Sequence, residues 1–353
     1  MTTIYPLVVP ELNFSVNLTF LESKSYLIKE SPFYPLVLGL YTLEVIELLF
    51  QFVSFIPIGI AFLKSAIIHS NLQRILYYSA FHGQLYVTIR PIILAYQLGF
   101  CQVYGEWQVD FAYVLAHVLR SYINFTTYCL LVMLVLERLA ATVLVEDYEI
   151  KNRHYITWIL FVYATIVSVT SPWVSGNLTQ GAAGAVATVT FTATEFVMAF
   201  MVFIGIWLYN NRLQKKLTAS SRPGSLAGYT LRKKYQVKEN LRVFKFIRNI
   251  VVVAVPFCIC SLSINAIAAK SDVITQVYLR AAADLSTSTG NLSTMIAGML
   301  TLPEWRREVF EMIPCLRRYN RIKSEKHRRQ HGQCTDNGAH GDIYFKQLAE
   351  HWG

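Results

Sequence analysis

Seven stretches of the chain are each long and apolar enough to cross a lipid bilayer, and this pattern limits the fold more than any other feature. A hydrocarbon core about 30 Å thick takes roughly 20 helical residues at about 1.5 Å each. Apolar runs of that length lie at about 36–63, 75–99, 111–136, 155–175, 184–210, 247–269 and 276–301. Inside hydrocarbon the backbone N–H and C=O groups must bond within the span, so seven such runs imply an all-α membrane protein, a seven-transmembrane helix bundle. Composition agrees, since 54% of the 353 residues are hydrophobic and 15% charged, with a mean hydropathy of +0.37, too apolar for an ordinary soluble domain. The connections are short, which gives one bundle over 35–302. It is preceded by an N-terminal segment, 1–34, and followed by an amphipathic membrane-surface helix over 303–320 and a polar, disordered tail over 321–353.

Orientation follows from the basic residues, because short positively charged loops stay in the cytoplasm. With the N-terminus outside, the inner side receives Lys64, Arg74, Lys151 and Arg153. It also receives eleven Lys and Arg from Arg212 to Arg248 and ten after Pro303. The outer side holds only Lys24, Lys29 and Lys270. The net charge of +10 is therefore a topology signal, and nucleic acid is not an expected partner. Three acceptor sequons, at Asn13, Asn17 and Asn177, fall on the outer side as glycosylation candidates. The first 23 residues carry no Lys or Arg, so a cleaved signal peptide is not expected and the first span serves for targeting.

A charge inside a span costs about 2.5–3.5 kcal/mol on insertion scales, so each one calls for a partner or a polar cavity. Glu44 and Glu47 in the first span, Arg90 in the second, His117 and Arg120 in the third, Glu195 in the fifth and Asp284 in the seventh fall in one layer of the outer half. His117, Arg120, Asn124 and Thr127 repeat at helical spacing, as do Asp284, Ser288 and Asn291. Either these groups form interhelical bridges that fix the bundle, or they line a ligand pocket open to the outside; the cluster as a whole favours the pocket.

At the inner end of the third span, Glu137 and Arg138 precede Ala141-Thr142 and then Asp147-Tyr148-Glu149. An adjacent acid and arginine can pair locally and release the arginine when helices part. The long basic loop that follows the fifth span reads at both ends as helix extensions. After Pro303, Trp305, Phe310 and neighbouring basic residues suit a helix on the inner leaflet, and Cys315 beside it is a palmitoylation candidate. The sequence holds no phosphate-binding glycine loop, zinc spacing or nucleophile elbow, so neither an enzyme nor a metal or other cofactor is expected. The seventh span has no Lys to carry a retinal Schiff base.

The series Glu137-Arg138-Leu139-Ala140-Ala141-Thr142 with Asp147-Tyr148-Glu149, together with His69-Ser70-Asn71-Leu72 and Pro303-Glu304-Trp305-Arg306, resembles the nematode serpentine chemoreceptors of class epsilon, the Sre family, over about residues 30–320. That resemblance implies a G-protein-coupled receptor of sensory neurons and their cilia that detects small odorant or pheromone-like chemicals at the plasma membrane. It places Glu137, Arg138, Asp147 and Tyr148 at the heterotrimeric G-protein interface. Rhodopsin-like signatures are incomplete: the seventh span lacks Asn-Pro-x-x-Tyr, and Pro256 is not preceded by Cys-Trp-x. The alternative is a ligand-gated channel or transporter whose buried charges line a permeation path.

Overall fold

The computed structural model describes residues 2–9, 14–21, 30–64, 69–104, 106, 108–144, 148, 153–177, 182–219, 231–268 and 270–312. Seven long helices follow in order: α1 (Tyr34–Lys64), α2 (Ser70–Gln97), α3 (Phe111–Val143), α4 (His154–Asn177), α5 (Ala182–Ala219), α6 (Leu231–Ala268) and α7 (Val273–Thr301). They belong to a unit covering residues 1–302, and residues 303–353 form a second unit, in which α8 (Pro303–Met312) is the described element. The N-terminal segment adds an antiparallel hairpin of β1 (Thr2–Val9) and β2 (Phe14–Leu21), with Thr2 opposite Leu21 and Val9 opposite Phe14. Pro6 in β1 argues against a strand in sequence, but a two-stranded sheet has only edges, where proline is tolerated.

The helices close a ring. α1 packs on α7 and α2, α2 on α3, α4 on α3 and α5, α5 on α6, and α6 on α7, while α3 also touches α5 and α6 and so runs through the middle. Large apolar side chains stay uncovered at helical spacing, among them Leu43, Ile46, Leu49, Phe50 and Val53 on α1 and Trp158, Ile159, Val162 and Ile166 on α4. In water such faces would aggregate; against lipid they need no protein cover. Among the described residues, Tyr34–Ile60, Phe111–Val143, Thr190–Lys216 and Val237–Ala268 are long and apolar enough to cross a membrane, and His154–Thr170 is a shorter apolar helix. α2 and α7 are more polar because they carry Arg90, Gln97, Asp284 and Ser288, all buried within the bundle.

The core that positions the site lies between α1, α2, α3 and α7, where Val37, Tyr41, Leu48, Tyr86, Ile93, Ile123, Val277 and Ala281 cluster. Helix ends are set by local chemistry. Gly99 ends α2 at φ 82°, and its N–H bonds the Tyr96 carbonyl while Phe100 bonds that of Ala95, a Schellman pattern for which a residue without Cβ is suited. Asp272 caps α7 by accepting from the Thr275 amide at 3.2 Å, satisfying a donor that the first turn leaves open.

Candidate functional site

Two clusters of buried polar groups lie on the bundle, one toward each end of α3. The first centres on Arg90 of α2, whose side chain is 1% exposed. Its Nε donates to Glu44 Oε1 at 2.5 Å and its Nη2 to Glu44 Oε2 at 2.8 Å, so α1 and α2 are joined by a two-point ion pair. Nη2 also donates to Asp284 Oδ2 of α7 at 2.8 Å, and Nη1 to Gln97 Oε1 at 3.1 Å. The other oxygen of Asp284 accepts from Arg120 Nη2 of α3. Four helices thus meet in one ionic knot. Ser288 extends it by donating to Glu44 Oε1, while its carbonyl accepts from Gln51. Burial of these ions is tolerated because each carboxylate oxygen and most of the Arg90 donors are bonded; removal of one partner would leave an uncompensated charge.

Not every member of the sequence-derived layer joins the knot. His117 is buried one turn before Arg120, with its ring 4.5 Å from that of Tyr113. Glu47 lies one turn below Glu44 but accepts from Thr289 Oγ1 at 2.9 Å. Glu195 accepts from Tyr163 Oη at 2.9 Å, on the side of α4 and α5. The layer is therefore not one cluster: Glu44, Arg90, Arg120 and Asp284 share a centre, Glu47 bonds Thr289 of α7 beside it, and α5 turns Glu195 to α4.

The second cluster stands at the C-terminal end of α3. Glu137 and Arg138 are both 0% exposed and pair directly, with Nε on Oε2 at 2.5 Å and Nη2 on Oε1 at 2.6 Å. Tyr148 donates to Glu137 Oε1 at 2.6 Å and accepts from Asn71 Nδ2 at 3.1 Å. Burial pushes the Tyr148 phenol up, so it stays protonated as this donor. Arg138 Nη1 reaches Asn240 Oδ1 of α6 at 3.0 Å. Asn240 and Asn210 of α5 both donate to Thr142 Oγ1, at 3.4 and 3.0 Å. The ring of His69, at the start of α2, lies 4.4 Å from that of Tyr148. Burial holds its imidazole down at about 4, against the pull of Glu137 and with the push of Arg138. In that neutral state Nδ1 accepts from the Asn71 amide as the α2 cap.

Sequence reasoning marks the ions of both clusters and Tyr148, and quotes Asn71 within a family motif, but assigns no role to Asn71, Asn210 and Asn240, which make neutral bonds of the second cluster. It also passes over Gln97 and Arg280, although Arg280 precedes Asp284 by one turn and so shares its face. Asp147, Asn13 and Cys315 lie outside the described residues; Asn17 is on β2 and Asn177 ends α4. Among the described residues no group of His, Cys, Asp and Glu is arranged to hold a metal ion.

Arg120 and Arg138 are separated by about five turns, or about 27 Å, and therefore lie on one face of α3. That single helix joins the two clusters. Comparison with known proteins gives the family and the fold. Residues 18–353 match the model of the family described as Sre G protein-coupled chemoreceptor. Serpentine receptor class epsilon-38 of Caenorhabditis elegans is 27% identical over 333 residues, covering 82% of this chain and 86% of that one. Class epsilon-31 of the same nematode is 26% identical over 61% of this chain and 59% of its own. The crystal structure of squid rhodopsin superposes with a TM-score of 0.62 over 88% of this chain and 90% of that one at 10% identity, which is a likeness of fold.

Proposed function

This chain belongs to the Sre family of G protein-coupled chemoreceptors, and from that premise we propose that it binds a small external chemical beside the Arg90 knot and signals through the Arg138 end of α3 to a cytoplasmic heterotrimeric G protein. It is a multi-pass membrane protein, and the reading places it in the plasma membrane of sensory neurons and their cilia, with the N-terminus outside. The observation that carries the proposal is the state of Arg138: a charged side chain wholly buried at a helix end, bonded to its neighbour Glu137 and to Asn240 of α6. An arginine at that place has no packing duty that a leucine would not meet better, and its bonds cross between two helices.

A ligand acts by its difference in affinity between two arrangements of the bundle. Near the knot it meets α3 and α7 at a direct ionic contact between them, Arg120 to Asp284. A shift of α3 there moves the same face of the helix at Arg138. Loss of the Asn240 bond then parts α6 from α3 and exposes Arg138 and Glu137 to a partner. No covalent chemistry is needed. Glu137, Arg138, Tyr148 and Asp147 together form the proposed coupling surface.

The test is expression with a promiscuous G protein and challenge with pooled odorants, while second messenger and membrane current are recorded. Wild type should give a ligand response with no direct current, and Arg138→Ala at matched surface level should abolish it. A current that persists under G-protein block would replace the receptor reading with a channel.

A further inference from the structure

The sequence mixes acids and bases in one layer and so leaves the sign of the ligand open; the geometry of the knot does not. Arg90 is committed: its Nε, Nη1 and Nη2 all have acceptors, and it is 1% exposed. Arg120 is the contrasting case. Its side chain is 20% exposed, against 6% for Asp284, and its bond in the knot is a single one, from Nη2 to Asp284 Oδ1. Asp284 cannot offer more, because its second oxygen is held by Arg90. A guanidinium carries five N–H donors in a planar fork that suits two-oxygen acceptors, and here Nε and Nη1 of Arg120 bond to nothing among the described residues.

The acids that could complete it are engaged elsewhere. Glu44 is held by Arg90 and Ser288, Glu47 by Thr289 and Glu195 by Tyr163. The electrostatics of the neighbourhood run the same way, since the positive charge of Arg280 falls on both Arg120 and Asp284. A cationic ligand would have to enter among three guanidiniums whose carboxylates are already bonded. An anion meets open N–H donors in a setting of low dielectric, where an unmade bond to a charged group is costly. The charge of Arg120 reaches Tyr128, whose half-buried ring packs edge-on with Phe125 and Phe196 at centroid distances of 6.0 and 6.2 Å, an aromatic group for the rest of the molecule.

Resting on the reading of this bundle as a ligand-gated receptor, the geometry points to an anionic ligand: a small monocarboxylate with an apolar body, whose carboxylate is held by the open edge of Arg120. The two oxygens of such a group match the fork that Asp284 fills only in part, and their arrival competes with Asp284 for Arg120, loosening the α3–α7 contact.

The test uses purified full-length receptor in detergent and three eight-carbon probes that differ only in their head: octanoate, octanamide and octylamine. Thermal stabilisation should be produced by octanoate, with octanamide about tenfold weaker and octylamine inert. Arg120→Gln should erase the octanoate effect, and Arg120→Lys should reduce it. If Arg120→Gln fails to fold, the three-probe comparison on wild type decides alone. Equal stabilisation by octanoate and octanamide, stabilisation by octylamine, or none by any probe would each overturn the proposal. The readout involves no G protein, so it is separable from coupling. Octanoate binding without a second messenger would sink the coupling reading and leave the anion site. An Arg138-dependent response to amines alone would do the reverse.

Discussion

Arg90 is the side chain on which most of the bundle's buried charge depends. Replacing it with Leu would leave Glu44 and Asp284 without their shared cation, and loss of one partner from a buried ion network costs about 3–5 kcal/mol. Arg90→Leu should therefore lower the unfolding temperature in detergent sharply and reduce surface delivery. Glu47→Gln should change either little, since the hydrogen bond Glu47 makes among the described residues is to the Thr289 hydroxyl, which an amide can also bond. At the other cluster, Tyr148→Phe removes one hydrogen bond from Glu137 and should raise basal second-messenger output at matched surface level, as a weakened latch would. His69 gives a pH dependence whose sign is fixed. Its folded value of about 4 lies below the ordinary 6.5, so the unfolded chain binds more protons between these values. Stability is then unaffected above about pH 6.5 and falls as pH drops toward 4. His69→Asn should flatten that acid limb in melts of the purified receptor taken from pH 7 to 4. These ions were legible in sequence because hydrocarbon makes each of them costly. The roles of the asparagines beside them were not, since these residues carry no charge: Asn240 bonds Arg138, while Asn71 and Asn210 bond Tyr148 and Thr142, contacts that depend on which helices touch.

For the helices themselves, existence could be read from apolar length, and the extensions of α5 and α6 from the ends of the basic loop between them, but the residue at which each helix starts or stops could not. α3 continues to Val143, seven residues beyond the apolar run, and α6 starts at Leu231, sixteen before it. Backbone bonding carries a helix past the membrane boundary wherever residues such as Glu137, Arg138, Lys238 and Arg242 can be bonded or solvated, so hydropathy gives only a lower bound. The approach of α6 to α7 was also hidden, because it depends on the absence of a side chain. A Cβ added at Gly290 would lie 2.7 Å from Cβ of Phe257 and 3.2 Å from its Cγ. That neighbour is fixed to the α6 backbone next to Pro256 and cannot swing aside. Gly290→Ala should therefore cost about 1–3 kcal/mol by overpacking. Gly298→Ala on the same helix meets nothing nearer than 3.6 Å, and alanine's helix preference of about 1 kcal/mol should leave it neutral or stabilised. Paired melts of the two variants separate local contact from the general effect of changing glycine. If both lose stability alike, close packing of α6 on α7 is not the cause.

Across the whole molecule, the two clusters differ in what a partner could do there, and that difference gives sidedness its functional weight. The helix order fixes the geometry without naming an inside: the end of the bundle that carries Arg138 also carries Lys64, Arg74, Arg153 and the basic extensions of α5 and α6. Translocating so many positive charges is disfavoured, which supports the proposed reading that this end faces the cytoplasm, where a G protein is available. On the same proposed reading Arg120, the partly exposed member of the knot, faces external chemicals and the three sequons at Asn13, Asn17 and Asn177 lie outside. An N-terminal epitope should therefore stain intact cells and a C-terminal one only permeabilised cells. A glycosidase should increase gel mobility, and the increase should vanish when the three asparagines are replaced together by Gln. Staining of the C-terminus on intact cells would put Arg138 out of reach of any cytoplasmic partner. The latch would then be a structural bridge alone, and the buried charges would have to be read as the lining of a channel.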